Sequence, residues 1–377
     1  MTTTFKIKKI LPIEKTSVIV LICCTILSMA IANSSWGEQY LNCWNYDILG
    51  SSIQHWINEG LMSIFFLMIG LELKREFVFG ELSNPKIGIL PIVSAIGGAI
   101  IPVLIFLLFN HESIQAKAAG IPMATDIAFA IGLLSLLGKT VPASLKVFLT
   151  TLAVIDDLMA ILVIAFFYTN TISMGSLIIS FAILLILFLI NQFKINNLII
   201  YIIGGIIMWY FMLDSGIHAT ITGVLLASVI PIGNGNSKSS FMKLHHILHK
   251  PVAFIIVPLF ALANTGIELH SIWQYGIVSN LSAGIILGLL LGKPIGILIF
   301  SKLFVTLRIC QLPYDVNWKH ILGVGILAGI GFTMSIFITL LACTNKIDID
   351  RATISILIAS TIAGITGLGF LKLNAKK

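Results

Sequence analysis

The stretch Thr151-Leu-Ala-Val-Ile-Asp-Asp-Leu-Met-Ala-Ile-Leu162 places two adjacent aspartates in the middle of an apolar run over residues 147–168. A helix of that length can cross about 30 Å of hydrocarbon at about 1.5 Å per residue. An ionised side chain inside such a span costs about 2.5–3.5 kcal/mol on insertion scales and usually marks function. The stretch therefore predicts a membrane helix with a functional acidic pair, Asp156 and Asp157.

The composition excludes a water-soluble protein. Of the 377 residues, 58% are hydrophobic and only 10% are charged, whereas a typical soluble domain carries about 25% charged residues. The mean hydropathy of +1.03 agrees with lipid as the main solvent. The net charge of +7 does not indicate nucleic-acid binding, because the basic residues lie in short segments between apolar runs. The five cysteines show no metal-ligand spacing.

Apolar runs of similar length recur along the whole chain and are separated by short polar segments. Because lipid offers no hydrogen-bond partners to the backbone, each run is predicted to be helical. The sequence therefore predicts an all-α polytopic membrane protein with a single integral-membrane domain, residues 1–377, and twelve spans. The approximate extents are 17–33, 57–79, 88–109, 119–137, 147–168, 175–193, 197–213, 217–232, 251–269, 281–304, 320–343 and 351–371.

The distribution of lysine and arginine predicts the orientation. With twelve spans and a cytoplasmic N-terminus, most of the 23 basic residues fall on the cytoplasmic side, as the positive-inside rule requires. Only Lys117, Lys346 and Arg351 fall on the other side, and Lys293 lies inside a span. Both termini are therefore predicted to be cytoplasmic. The first apolar run also has features of a signal peptide, but a retained first helix fits the twelve-span topology.

A third acidic residue, Asp126, lies in the segment Ile121-Pro-Met-Ala-Thr-Asp126. Pro122 has no amide hydrogen and disfavours a continuous helix, and Thr125 supplies a hydroxyl group. The segment predicts a span that is interrupted near mid-membrane, where the freed backbone groups are available to an ion. A proline kink with a merely buried aspartate is the alternative.

The glycine-rich segment 323–335 has the same character in the other half of the chain. Two interrupted spans in opposite halves predict an inverted repeat whose broken helices cross near the midplane, and a glycine-rich packing face is the alternative. Lys293 lies near the middle of its run, so we expect a carboxylate partner for it. Asp126 and Lys293 are the natural charges to compensate the helix ends at such a crossing.

The adjacent aspartates point about 100° apart on a helix, so one can face a cavity while the other meets a different helix. Two close carboxylates in a low dielectric resist joint ionisation, and such a pair can hold either protons or one hard cation. This competition is the chemistry that a cation/proton exchanger needs. A salt-bridged pair that locks two helices together is the alternative.

Six motifs, in the family's order and spread over nearly the whole chain, make the sequence resemble the NhaA family of sodium/proton antiporters, itself a standard example of inverted repeats with broken helices. The motifs are Gly70-Leu-Glu-Leu-Lys-Arg-Glu76, Ala124-Thr-Asp-Ile-Ala-Phe-Ala130, Ile155-Asp-Asp157, Ser215-Gly-Ile-His-Ala-Thr220, Gly292-Lys-Pro294 and Gly329-Ile-Gly-Phe-Thr-Met-Ser335. The resemblance implies twelve transmembrane helices, of which the fourth and the eleventh are discontinuous and crossed.

The resemblance also implies the site residues. Asp156, Asp157 and Thr125 would form the cation- and proton-binding site, with the two aspartates as Na⁺ ligands. Asp126 and Lys293 would supply charge compensation and proton coupling, and Lys293 would also pair with Asp156. Whether Lys293 or Asp156 carries a transported proton stays open.

Regulation by pH is a further implication of the resemblance. The residues concerned are three at the cytoplasmic end of the second helix, one histidine in the eighth run, and three histidines in the loop before the ninth: Glu72, Arg75, Glu76, His218, His245, His246 and His249. His245 stands where the family often has an acid. Histidine titrates near neutrality, so this cluster is predicted to shift the pH response; a solvated basic loop is the alternative.

We therefore expect an electrogenic antiporter that exports Na⁺ or Li⁺ in exchange for H⁺ by alternating access. An enzyme is not expected, because the Gly-x-Gly-Asp and Asp-Asp-x-x-Asp signatures of intramembrane proteases and prenyl-transferring enzymes are absent. A sodium-coupled solute symporter is the main alternative. No cofactor is expected beside the transported ions. The expected partners are the bilayer of a bacterial inner membrane, Na⁺, H⁺ and a second copy in a homodimer, and no nucleic acid.

Overall fold

The computed structural model describes residues 4–83, 85–111, 114–168, 173–193, 195–233, 239–270, 276 and 278–374. Helices dominate these ranges, and the strands described there are the two of one short antiparallel hairpin, β1 (Asp47–Ile48) and β2 (Ser51–Ser52). The helices, in chain order, are α1 (Thr4–Ala32), α2 (Gly37–Trp44), α3 (Ile53–Phe79), α4 (Pro85–Asn110), α5 (Ile127–Leu136), α6 (Ala143–Phe167), α7 (Met174–Gln192), α8 (Leu198–Asp214), α9 (Ile221–Val229), α10 (Ser240–Asn264), α11 (Asn280–Thr306), α12 (Trp318–Ala328), α13 (Phe332–Ala342) and α14 (Lys346–Asn374).

Some segments depart from α-helical geometry. A 3₁₀ segment, Ile114–Met123, precedes α5, and short 3₁₀ turns cover Glu81–Ser83 and Gly138–Thr140. Three of the long helices contain a π-turn, a stretch in which each backbone amide bonds to the carbonyl five residues earlier instead of four. The π-turns are Trp56–Leu61 in α3, Val252–Ile256 in α10 and Gly288–Gly292 in α11.

Nine helical segments in the described part of the chain are long and apolar enough to cross a membrane. The number becomes ten when α12 and α13, which meet at an angle of 47°, count as one bent span. The predicted runs 197–213 and 217–232 correspond to α8, with 17 residues, and α9, with 9 residues, which are shorter. The polytopic helical fold is thus confirmed, and the number of twelve spans stays a prediction.

Helix α6, which carries the adjacent aspartates, lies at the centre of the molecule. Within the apolar windows of the spans, 67% of the residues of α6 are buried, against 17% for α7. Helix α6 packs against α3, α4, α5 and α12, whereas α7 turns most of its apolar side chains outward. A pair of aspartates on α6 is therefore shielded from lipid by other helices.

One boundary prediction was wrong. The sequence predicted a loop over about 233–250 with the next span starting at residue 251, but α10 begins at Ser240. Ser239 caps this helix by accepting a hydrogen bond from the Met242 amide at 3.2 Å. Phe241 and Leu244 are buried while the opposite face is polar. An amphipathic turn of this kind has low mean hydropathy, which is why it resembled a loop.

Candidate functional site

Two interruptions of helical structure meet in the interior. Residues 124–126 separate the 3₁₀ segment from α5, and residues 329–331 separate α12 from α13. The Asp126 amide donates a hydrogen bond to the Ile330 carbonyl at 2.7 Å, and the Ser335 hydroxyl donates one to the Ile121 carbonyl at 2.8 Å. Each break thus satisfies backbone groups that the other break leaves without helical partners.

Asp126 caps two helices at once. Its Oδ1 accepts from the Phe129 amide of α5 at 3.0 Å. Its Oδ2 accepts from the Thr333 amide and hydroxyl of α13, at 3.2 Å and 2.5 Å. A carboxylate at the positive ends of two helices is favourable on electrostatic grounds. Asp126 therefore lies where charge compensation was predicted, although its role stays a prediction.

Asp156 forms a buried ion pair with Lys293. The Lys293 ammonium group contacts Asp156 Oδ2, and the Thr125 hydroxyl lies 2.7 Å from the same oxygen. Thr125 Oγ1 also lies 2.9 Å from the Ala328 carbonyl oxygen and accepts a hydrogen bond from Lys293 at 2.5 Å. All three side chains are fully buried. The carboxylate partner expected for Lys293 is therefore Asp156, and the group joins the first break to α6 and α11.

Asp157 has a different environment, although it is also buried. No described group donates a hydrogen bond to either of its carboxylate oxygens, and Asp156 Oδ1 likewise has no donor among the described residues. Asp156, Asp126 and Lys293 are close enough to act on Asp157 electrostatically. Buried carboxylate oxygens without donors are costly, and they are the ligands that a hard cation prefers. Thr125, Asp156 and Asp157 can thus offer oxygen atoms to one small ion.

Most of the residues predicted to respond to pH gather at one end of α3. Arg75 Nη2 lies 3.2 Å from Glu72 Oε1 and 3.1 Å from Glu76 Oε1. His249 of α10 interacts electrostatically with Glu72 and Arg75, and Glu72 also acts on Asp157. Glu72 of this cluster is therefore within electrostatic reach of the Asp157 carboxylate.

The other two histidines of the predicted cluster also lie on α10. The rings of His245 and His249 are 6.4 Å apart between centroids. His245 is buried and His246 is exposed. The prediction that these residues belong to a loop was wrong, because the helix starts before them. Their role in the pH response stays a prediction.

His218 lies elsewhere. Its Nδ1 is 3.1 Å from Glu59 Oε1 and its Nε2 is 3.1 Å from the carbonyl oxygen of Tyr168, the residue that follows α6. Glu59 Oε2 accepts from the Ala219 amide at 2.9 Å. Glu59 and Glu72 are 13 residues apart on α3, about 20 Å along a helix. The residues predicted to respond to pH therefore form two separate groups.

Sequence reasoning missed two charged residues of α3 that contact α9. Glu59 binds the segment before the N-terminus of α9. The Lys74 ammonium group donates to the Ser228 and Ile230 carbonyl oxygens at its C-terminus, at 2.6 Å and 2.7 Å. Both residues lie near the ends of an apolar run, where charged side chains usually face the membrane interface. The sequence signal that could have revealed them is the short predicted span 217–232 beside them. The backbone groups at the ends of a short helix require hydrogen-bond partners.

Comparisons with known proteins identify the family of this chain. The family described as Na+/H+ antiporter 1 matches residues 8–371. Relatives named Na(+)/H(+) antiporter NhaA include one from Flavobacterium johnsoniae, numbered 1, which is 58% identical over 359 residues, covering 95% of this chain and 94% of the relative. One from Cytophaga hutchinsonii is 52% identical over 377 residues, with 100% and 97% covered. One from Vibrio cholerae is 44% identical over 372 residues, with 98% and 97% covered. The chain therefore belongs to the Na+/H+ antiporter 1 family.

Proposed function

We propose that this protein is an electrogenic antiporter that exports Na⁺ or Li⁺ in exchange for H⁺ by alternating access. The observation that carries the proposal is the buried Asp157 carboxylate, which has no hydrogen-bond donor among the described residues and lies beside an aspartate already paired with a lysine. The family and the names of its relatives support the same activity.

Competition between the ion and protons for the carboxylates supplies the chemistry. With Asp157 ionised, its oxygens, those of Asp156 and the Thr125 hydroxyl bind a dehydrated cation. The cation competes with the Lys293 ammonium for Asp156, so loading weakens that ion pair. After the site opens to the other side, protons neutralise the carboxylates and release the cation. The proton that accompanies the one on Asp157 is carried by Asp156 or by Lys293.

The membrane potential drives the exchange if two protons replace one ion. One net charge then crosses per cycle, and each elementary charge gains about 2.3 kcal/mol per 100 mV of potential. The inward-negative potential of a bacterium therefore favours entry of protons and exit of sodium.

We further propose an architecture of twelve crossings. Helix α8 provides one crossing, the run 217–232 that contains α9 provides another, and α12 with α13 provides a single broken one. The 3₁₀ segment with α5 is the other broken crossing, and the two cross as parts of an inverted repeat. The contacts between their breaks support this arrangement. Both termini then lie in the cytoplasm of a bacterial cell, with the protein in the inner membrane as a homodimer without a cofactor.

The pH response is proposed to arise from the two groups around α3. Glu72, which acts on both Asp157 and His249, links the α10 histidines to the cation site. Protonation of a histidine there changes the electrostatic potential at Asp157, and the exchange rate follows.

Exchange in proteoliposomes tests the proposal. Vesicles with an acid interior and a fluorescent pH probe receive external NaCl or LiCl at several pH values. We expect rapid dequenching with the unmodified protein and with Asp315→Asn, a control change at an exposed loop aspartate, and none with Asp157→Asn. No response to either salt at any pH would reject the antiporter. Sodium-dependent uptake of an organic solute would then identify a symporter.

A further inference from the structure

The π-turn Gly288–Gly292 ends at Lys293. The Lys293 amide donates its hydrogen bond to the Gly288 carbonyl, five residues earlier. In an α-helix the amide would bond to the residue four earlier. A π-turn accommodates one additional residue, which rotates everything after it by about 100° relative to a regular helix. The direction in which Lys293 leaves α11 is therefore set by this turn.

The π-turn Gly288–Gly292 packs closely against α4 and against the segments that contain the two breaks. A Cβ atom added to Gly288 would lie 2.7 Å from Pro122 Cβ, in the segment that leads to the first break. One added to Gly292 would lie 2.8 Å from Pro102 Cα of α4. One added to Gly329, in the second break, would lie 2.5 Å from the Leu289 carbonyl oxygen of the turn. Glycine permits each of these approaches, so the position of the turn depends on both breaks.

We propose that the π-turn Gly288–Gly292 positions the Lys293 ammonium against Asp156, and that Gly288 and Gly292 are positioning residues for this ion pair. With regular helical geometry through the turn, the lysine would point about 100° away from its present direction. Because Pro122 contacts the turn and precedes Thr125 by three residues, the turn also fixes the lysine relative to the threonine hydroxyl. The inference rests on the proposed function, in which Asp156 and Lys293 belong to the cation site.

The contact between the π-turn and Pro122 predicts that changes at Gly288 and Lys293 are not additive. Gly288→Ala forces the turn away from Pro122, and alanine favours regular helix, so Lys293 withdraws from Asp156. Without the ammonium, the two aspartates resist joint ionisation more strongly. We therefore expect the pH of half-maximal exchange to rise by about one unit, and we expect the same rise for Lys293→Ala. The two changes together give no further rise, because the glycine acts only through the lysine.

The experiment is a double-mutant cycle of Gly288→Ala and Lys293→Ala, measured in proteoliposomes as the pH profile and in detergent as the unfolding temperature. Gly204→Ala in α8 is the control for an added methyl group, because its Cβ would lie 2.7 Å from Leu187 Cδ2 in the contact between α7 and α8, which contains none of the cation-site residues. We expect this control to lower the unfolding temperature by the same amount with and without Lys293. It should leave the pH profile unchanged.

The inference would be overturned if Gly288→Ala raised the pH of half-maximal exchange equally with and without Lys293. It would also be overturned if Gly288→Ala did not raise this pH at all. If Lys293→Ala does not transport, the cycle is read from the unfolding temperature, where additive effects contradict the inference and non-additive effects support it. Gly292→Ala repeats the test if Gly288→Ala fails to fold. Absence of exchange in the unmodified protein would reject the proposed function, whereas the unfolding cycle would still test the turn.

Discussion

Asp156 and Asp157 are neighbours in the chain and both are buried, but their surroundings differ. Asp156 Oδ2 has a lysine and a threonine as partners, whereas Asp157 has no donor among the described residues. The rotation of about 100° between neighbours on a helix is sufficient to place one against α11 and the other in a separate position. The comparison shows that Asp156 combines a structural ion pair with one bare oxygen, whereas both oxygens of Asp157 are bare among the described residues.

The largest effect is expected from Asp157→Asn. Asparagine keeps the size of the side chain and removes its charge, so exchange should fall to the background of empty vesicles. The unfolding temperature should not fall, because no partner is lost. A variant that unfolds earlier while retaining transport would reverse the roles that we assign to the two aspartates.

Asp156→Asn, in contrast to Asp157→Asn, should lower the stability of the protein. It leaves the buried Lys293 ammonium without its counter-ion, and breaking a buried pair in this way costs about 3–5 kcal/mol of unfolding free energy. Thermal unfolding in detergent measures this loss. The double variant Asp156→Asn with Lys293→Gln is the control, since removal of both charges should recover most of the stability. Equal unfolding temperatures for Asp156→Asn and Asp157→Asn would contradict the comparison.

A smaller effect is expected at the crossing of the two breaks. Asp126→Asn removes the negative charge that faces the N-termini of α5 and α13 but keeps one acceptor oxygen. We expect a loss of about 1–2 kcal/mol in unfolding free energy and slower exchange at every pH. Thr333→Val, which keeps the carboxylate, should cost less. If the threonine change is the more damaging, the charge of Asp126 is not what stabilises the crossing.

The smallest effect is expected at His218. Both His218→Gln and Glu59→Gln alter the same contact, and each should shift the pH of half-maximal exchange by less than about one unit, with the maximal rate retained. The two shifts should have opposite signs, because one change removes a group that is positive when protonated and the other removes a negative charge. The pH profile in proteoliposomes measures both shifts, and shifts of equal sign would show that the contact acts through its structure rather than through its charges.

The sequence was informative where a charge interrupts an apolar run. Asp126, Asp156, Asp157 and Lys293 were identified because a charged group in lipid is costly, and the structure brings all four together. The resemblance implied the pairing of Lys293 with Asp156, which the structure shows, but it did not give the geometry on which the pairing depends, the π-turn and the rotation of α6. Neither is encoded in the hydropathy pattern.

Two other features were hidden for different reasons. The start of α10 at Ser240 was missed because an amphipathic turn has low mean hydropathy. Glu59 was missed because a charge near the end of a span usually faces water, whereas here it is buried against His218. Both the start of α10 and the burial of Glu59 depend on tertiary contacts, and a single sequence does not show which residues are in contact.

The binding of ²²Na⁺ to the purified protein, measured over a range of pH, tests directly whether Asp157 is the carboxylate for which sodium and protons compete. We expect the apparent affinity of the unmodified protein to fall about tenfold per pH unit for each proton that the cation displaces, and Asp157→Asn to show no saturable binding. Sodium binding that does not depend on pH, or that Asp157→Asn retains in full, would contradict the assignment.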